Sequence, residues 1–346
     1  MFISLIRNNI KININTLKFS TNQSRIDVIL LTSLILSFFS VHISSSGLLV
    51  DANRYAWSFL YRYPYYFSED MIFSSGTEAG FLILNKAIFY FTDNSNWLFF
   101  VVAIFVNFFS IYVLTRMNHN FSLLILLYLG SSYFIYSTFL LRQIIAVTVI
   151  NLAFLAYLNS KKTICFILSF IAIMFHTTAI IALPFYYVIN KTKTLKHYVY
   201  IVIFIFIIAL TTQGFFNSII QNISYLDRFI ATDNSFSGSI AAPLKGIPFY
   251  ILSLFSIINR EKLLKNNPNA DFYILSSIIY SISWMLTFEM YWAFRLGLYF
   301  LIPTLALVPL AASVIKSKTE RLLSYALFII VTTTLTFRQL ISLLIQ

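Results

Sequence analysis

Apolar runs of roughly the 20 residues that a helix needs to cross a bilayer recur along the chain. They fall at 26–46, 97–115, 121–140, 142–158, 163–190, 198–212, 246–259, 271–289, 296–315 and 322–340, with a shorter run at 78–92. In lipid every backbone N–H and C=O must be satisfied within the protein, and a helix lets one segment do so alone. The expectation is an all-α, polytopic integral membrane protein with about 10–12 membrane helices, some short or re-entrant. Only 10% of the 346 residues are charged and 59% are hydrophobic, too apolar a balance for a soluble surface. No polar insert is long enough to fold by itself, so 1–346 reads as one membrane domain.

The formal charge of +12 sits mostly in short turns. Arg116, Lys161 and Lys162, Lys191 to Lys196, Arg260 to Lys265, and Lys316 to Arg321 mark five of them. The N-terminus adds Arg7, Lys11, Lys18 and Arg25. Cytoplasmic loops collect Lys and Arg, so these turns are read as cytoplasmic and no nucleic acid is needed to explain the charge. The basic N-terminal stretch is too long for a signal-peptide n-region and no small-residue cleavage site follows, so 26–46 is kept as a membrane helix. On this topology 1–25 is cytoplasmic, and 47–77 and 213–245 are outer loops. The 78–92 run is then re-entrant or lies along the outer surface. The 163–190 run goes up and returns, with two half-helices meeting near His176. The alternative is one long helix with Lys191 to Lys196 outside.

The charges that this rule leaves unexplained share the outer face. Those that matter most are Asp51, Glu78, Arg142, His176, Arg228, Glu289 and Arg295. An arginine at mid-membrane costs about 2.5–3.5 kcal/mol on the insertion scale, so each such group needs a reason. Arg142, with Gln143 and Ala146, opens the 142–158 run, where its N–H fork suits a phosphate. The plainer alternative is an Arg that snorkels to the interface. His176 ends a stripe of small residues, Cys165, Ser169, Ala172 and His176, on one helix face. Its ring is expected to face protein, as a proton acceptor or hydrogen-bond donor, or simply satisfied by a backbone carbonyl. Arg295 repeats the logic of Arg142, with Glu289 as a candidate partner. Asp51, near Arg54 and Tyr55, and Glu78, before Gly80, are candidate bases or sugar-hydroxyl ligands. Solvated loop acids or helix N-terminal charges are the alternative for both. The aromatic cluster from Trp57 to Tyr66 suits sugar stacking or, more commonly, an interfacial belt.

The lone cysteine, Cys165, rules out a disulfide framework and a Cys-based metal site. The chain carries no HExxH, GxSxG, D-x-D or Gly-rich phosphate loop. No metal and no cofactor are expected.

These residues, in order, resemble a known family. Asp51…Tyr55, Glu78-Ala79-Gly80-Phe81, Arg142-Gln143-x-x-Ala146, His176-Thr177-Thr178-Ala179 with Pro184, and Arg295…Tyr299-Phe300 resemble the EpsG-type family. Its members are Wzy-like polymerases of bacterial exopolysaccharide, capsule and O-antigen. The resemblance covers residues 45–310 and implies a glycosyltransferase-C-like fold in the bacterial cytoplasmic (inner) membrane. It implies joining of undecaprenyl-diphosphate-linked repeat units on the outer face, without a metal. The partners it implies are that lipid-linked substrate and the membrane, together with the flippase and chain-length regulator of the same pathway. In these terms Arg142, Gln143, Arg295, Arg228 and Tyr299 bind substrate, the arginines at the diphosphate. His176, Glu78 and Asp51, in that order, are the candidate bases. Two other functions stay open. A lipid-linked oligosaccharide flippase would need charge through the whole depth of its cavity. A membrane O-acyltransferase would use the His but leave the arginines without a role.

Overall fold

The computed structural model describes residues 22–47, 49–61, 77–117, 121–185, 200, 241–288 and 293–345, and every regular element among them is helical. The first longer helices are α1 (Asn22–Ser45), α2 (Val50–Tyr61), α3 (Ala79–Phe89), α4 (Asn96–Met117), α5 (Phe121–Gly130) and α6 (Leu141–Leu158). They are followed by α7 (Lys162–Phe175), α8 (Ile247–Ile258), α9 (Ala270–Met285), α10 (Ala293–Ala312) and α11 (Lys318–Ile345). Five helices, α1, α4, α6, α10 and α11, hold stretches long and apolar enough to cross a membrane; α3, α7 and α8 are apolar but shorter. The 14 residues of α7 rise about 21 Å, well short of the ~30 Å hydrocarbon core. The chain is an all-α polytopic membrane protein.

α10 forms the centre, with 89% of its span buried against α9, α4 and α6. α1 and α11 lie outside and turn Leu31, Phe38 and Phe39, and Leu322, Leu327 and Ile330, outward. α1 packs on α4 through Ser33, Ser37, Ser40 and Ser44, a buried stripe one helical turn apart. Each of these hydroxyls donates to the carbonyl four residues back, at 2.6–3.0 Å. Small side chains let the backbones approach, and the back-bond leaves no hydroxyl unsatisfied in an apolar interface. A buried polar net ties the next layer. Tyr128 donates to Asn107 at 2.7 Å, and Tyr133 meets Ser110 and Thr148 at 3.1 and 2.9 Å.

α6 and α7 form an antiparallel hairpin. Ser160 takes a left-handed conformation, φ 59°, its N–H bonds Tyr157 O at 2.9 Å, and the N–H of Lys161 bonds Ala156 O at 2.9 Å. This is a Schellman turn with serine where glycine is usual. It sends α7 back toward the Arg142 end of α6. The buried face of α7 is Cys165, Ser169 and Ala172, as the stripe predicts.

Some expectations change in detail. The 121–140 run is broken: α5 ends at Gly130, a short helix follows at Ser132–Tyr136, and a turn leads to Leu141. Gly130 sits where a Cβ would lie 2.5 Å from Thr333 Oγ1, and Ser131 bonds back to Tyr128 O. The 47–77 stretch carries α2 instead of being loop throughout, and 48 and 62–76 within it lie outside the described residues. The 163–190 run breaks at His176, which is extended (φ −160°, ψ 120°) between α7 and the 3-10 turn Thr177–Ile181. The 198–212 run apart from Tyr200, most of the 213–245 loop, and residues 1–21 lie outside the described residues.

Candidate active site

Three elements meet at the Arg142 end of the bundle: the start of α3, the start of α6 and the end of α7. Glu78 precedes α3 in an extended conformation, and its side chain makes no capping bond to that helix. Its carboxylate turns instead to two partners distant in sequence. Oε2 accepts from Arg142 Nη1 at 2.7 Å, and Oε1 lies 2.6 Å from His176 Nδ1. The Glu78 side chain is only 6% exposed, against 17% for His176 and 29% for Arg142. An acid buried to that degree must be paired.

Gly80 makes this approach geometrically allowed. A Cβ there would fall 2.9 Å from the carbonyl oxygen of Met174, two residues before His176. Without a side chain at 80, the first turn of α3 rests on the last turn of α7, and Glu78 reaches His176. Tyr55 on α2 closes another side. Arg142 Nε donates to its hydroxyl at 3.4 Å, and its ring packs edge-on against Phe81 at 5.5 Å.

Burial by itself would raise the pKa of Glu78. The hydrogen bond with His176 and the charges of Arg142 and His176 outweigh it and pull the carboxyl from its ordinary 4.5 down to about 2. The group is therefore a carboxylate at any physiological pH and a pure acceptor. It follows that His176 Nδ1 carries the hydrogen in the contact. When the ring is neutral, Nε2 is its lone-pair nitrogen.

α10 supplies the neighbouring wall. Gln143 Nε2 donates to the backbone carbonyl of Arg295 at 2.8 Å, and Thr178 Oγ1 meets the hydroxyl of Tyr299 at 2.9 Å. Arg295 and Tyr299 are one turn apart, so α10 is fixed at both ends of that turn. Arg295 Nε is buried and has no hydrogen-bond partner among the described residues. A buried, unpartnered cationic donor is unfavourable, and an anion would satisfy it. Beside this wall runs an apolar groove lined by Thr178, Ile180, Ile181, Leu183, Pro184 and Leu296.

The structure thus brings Glu78, Arg142 and His176 into direct contact and sets Gln143, Arg295 and Tyr299 next to them. It does not bring in Asp51, which pairs with Arg54 at 3.6 Å on the exposed side of α2. Arg228 and Glu289 lie outside the described residues. Tyr55 and Thr178 were visible only within the patterns Asp51…Tyr55 and His176-Thr177-Thr178-Ala179, and neither was assigned a site role. No group of three His, Cys, Asp or Glu among the described residues is arranged to hold a metal ion.

A polytopic helical membrane protein with a carboxylate, an arginine and a histidine joined at one end of the bundle is the class that fold and site define. Residues 28–345, nearly the whole chain, match the EpsG family, and the chain belongs to it. EpsG is a family of Wzy-like polymerases, which gives the chain a polymerase-type role in polysaccharide biosynthesis. No curated protein matches the chain. No solved structure matches it either.

Proposed function

We propose that this protein is a metal-independent glycosyltransferase that joins undecaprenyl-diphosphate-linked repeat units on the outer face of the bacterial cytoplasmic membrane. The observation that carries this reading is the bridge of Glu78 between Arg142 and His176. The acceptor hydroxyl gives its proton to His176 Nε2 as its oxygen forms a bond to the anomeric carbon of the donor glycan. The bond from that carbon to the diphosphate breaks, and the diphosphate leaves with the electron pair. Arg142 and Arg295 hold the charge that develops there, and Arg228 is retained as a third cation. Glu78 orients the imidazole and favours the imidazolium that forms. It is too weakly basic to take the proton itself, and Asp51 has no contact with the cluster. The apolar groove beside Thr178 and Leu296 suits the prenyl chain. The flippase and the chain-length regulator of the pathway are the expected partners.

Charge placement supports this reading over a flippase. Within α4, α6, α9 and α10 the charged residues, Arg116, Arg142, Asp271 and Arg295, lie near helix ends. The interior of these helices offers no charged relay for a diphosphate. The test uses purified protein and lipid-linked repeat unit, with polymer measured per folded molecule between about pH 5.5 and 8.5. His176→Gln should bind substrate and lose turnover on the order of 10²-fold. Wild-type turnover by this variant across the range would remove His176 as base.

A further inference from the structure

A second polar cavity lies at the opposite end of α6. Arg142 and Asn159 are separated by 17 residues of that helix, or about 25 Å. The cavity, about 540 Å³, sits between the first turns of α1, the last turns of α4 and α6, and the start of α9. That is within the range of small-ligand pockets. Its floor is Ile29, Leu155, Leu158, Met117 and Tyr273, and its polar rim holds Arg116, Lys161, Asn159 and Asn269.

Arg116, Lys161, Asn159 and Asn269 are exposed at the mouth of the cavity, and three features order them there. Arg116 is stacked on Tyr112, with the guanidinium carbon 5.2 Å from the ring centroid, so its fork is oriented before any ligand arrives. Lys161 is held by the Schellman turn through its N–H on Ala156. Asn269 opens α9, whose first turn is clamped by Arg260 on Asp271 in a two-bond pair at 2.8 and 2.6 Å. That pair also engages the nearest carboxylate of α9. Among the described residues no Asp or Glu lines the cavity, and neither Arg116 nor Lys161 has an ion-pair partner. Asp27, next to Ile26 on α1, is exposed and stands off the lining.

We infer that this cavity binds the phosphate of an anionic ligand through Arg116 and Lys161, independently of the Glu78 site. The cavity lies where α1 begins and α4 and α6 end, and the ends of membrane-crossing helices meet the headgroup layer. Basic pockets between membrane helices take anionic headgroups there. A lipid phosphodiester and a soluble phosphate share this chemistry, and the experiment separates them.

The full-length protein in phosphatidylcholine nanodiscs is titrated with short-chain phosphatidylglycerol and, separately, with inorganic phosphate, and binding is read by calorimetry. Wild type should bind the lipid, and Arg116→Gln/Lys161→Gln should lose about tenfold in affinity. Lys316→Gln/Lys318→Gln removes the same charge elsewhere and should bind as wild type. Phosphate binding as tightly as the lipid would assign the site to a soluble ligand. Lipid binding tighter than phosphate assigns it to the membrane. Arg116→Lys keeps the charge without the fork and should lose part of the affinity, which gives a reading if the double variant fails to fold. No binding of either ligand by wild type, or equal losses in the two double variants, would overturn the inference.

Discussion

His176 Nδ1 lies 2.6 Å from Glu78 Oε1, across 98 residues of chain, and the same carboxylate accepts from Arg142 at 2.7 Å. The pair fixes the imidazole hydrogen on Nδ1 and turns Nε2 away from Glu78. Glu78→Gln keeps the size of the side chain but removes the charge that favours the imidazolium. We expect turnover to fall on the order of 10²-fold, with a smaller change in substrate affinity. Polymer formed per folded molecule at saturating substrate measures it.

The same carboxylate sets an acid limit on stability. Its pKa falls from 4.5 to about 2 in the folded protein. Its contribution is therefore fully present above about pH 4.5 and is lost as pH falls through about 2. The shift corresponds to a contribution on the order of 3 kcal/mol. Thermal unfolding in detergent should show that Glu78→Gln lowers the midpoint at pH 7 and flattens the acid limb of wild type. An equally steep limb in both proteins would place acid sensitivity elsewhere.

Under the proposed function Arg142 has two tasks, pairing with Glu78 and holding the diphosphate, and substitution separates them. Lysine keeps a charge near Glu78 but cannot hold Glu78, Tyr55 and a phosphate through one planar fork. Arg142→Lys should keep most of the stability and lose turnover on the order of 10²-fold. Arg142→Ala leaves the buried carboxylate without its arginine and should cost about 3–5 kcal/mol. Thermal unfolding and turnover per folded molecule of the two variants test both points.

The apolar runs made the all-α membrane class legible, and the stripe Cys165, Ser169, Ala172 gave the buried face of α7. Arg142, Glu78 and His176 were each visible as groups without a reason to be there. Their contact was not visible, because it depends on the register of α3 against α7, and that rests on the missing side chain of Gly80. Asp51 and Glu78 look alike as isolated acids. Only the seating of α2 decides that Asp51 faces solvent while Tyr55, one turn on, faces Arg142. α2 was missed because VDANRYAWSFLY alternates polar and aromatic residues and forms no apolar run. The break in 121–140 was carried by Gly130-Ser131-Ser132, a turn signal set inside an apolar stretch.

Gly80 offers a test of that register. A methyl group at 80 would meet Met174 O at 2.9 Å and Met174 C at 3.0 Å. These are backbone atoms and cannot rotate aside, so α3 and α7 must separate. Gly80→Ala should cost about 1–3 kcal/mol, as overpacking does. It should also lower turnover about tenfold or more, because it draws Glu78 from His176 without touching either. Gly80→Ser should behave alike. Full turnover in a folded Gly80→Ala protein would mean that the Glu78–His176 contact is not needed.

Sidedness decides whether the site meets substrate on the outer face. Asn94 lies two residues before the start of α4 and Arg116 one residue before its end, so the two mark opposite ends of one crossing. Asn159 is exposed at the Arg116 end, in the turn before Lys161 and Lys162. If the basic turns are cytoplasmic, a membrane-impermeant maleimide should modify Asn94→Cys in intact cells. It should reach Asn159→Cys only after the membrane is opened. The sole native cysteine, Cys165, is buried, so the background should be low, and Cys165→Ser removes it if needed. Labelling in the reverse order would turn Glu78, Arg142 and His176 toward the cytoplasm. The acceptor and donor would then have to be supplied from that side, and the outer-face polymerase reading would fail even if every substitution at the site abolished activity.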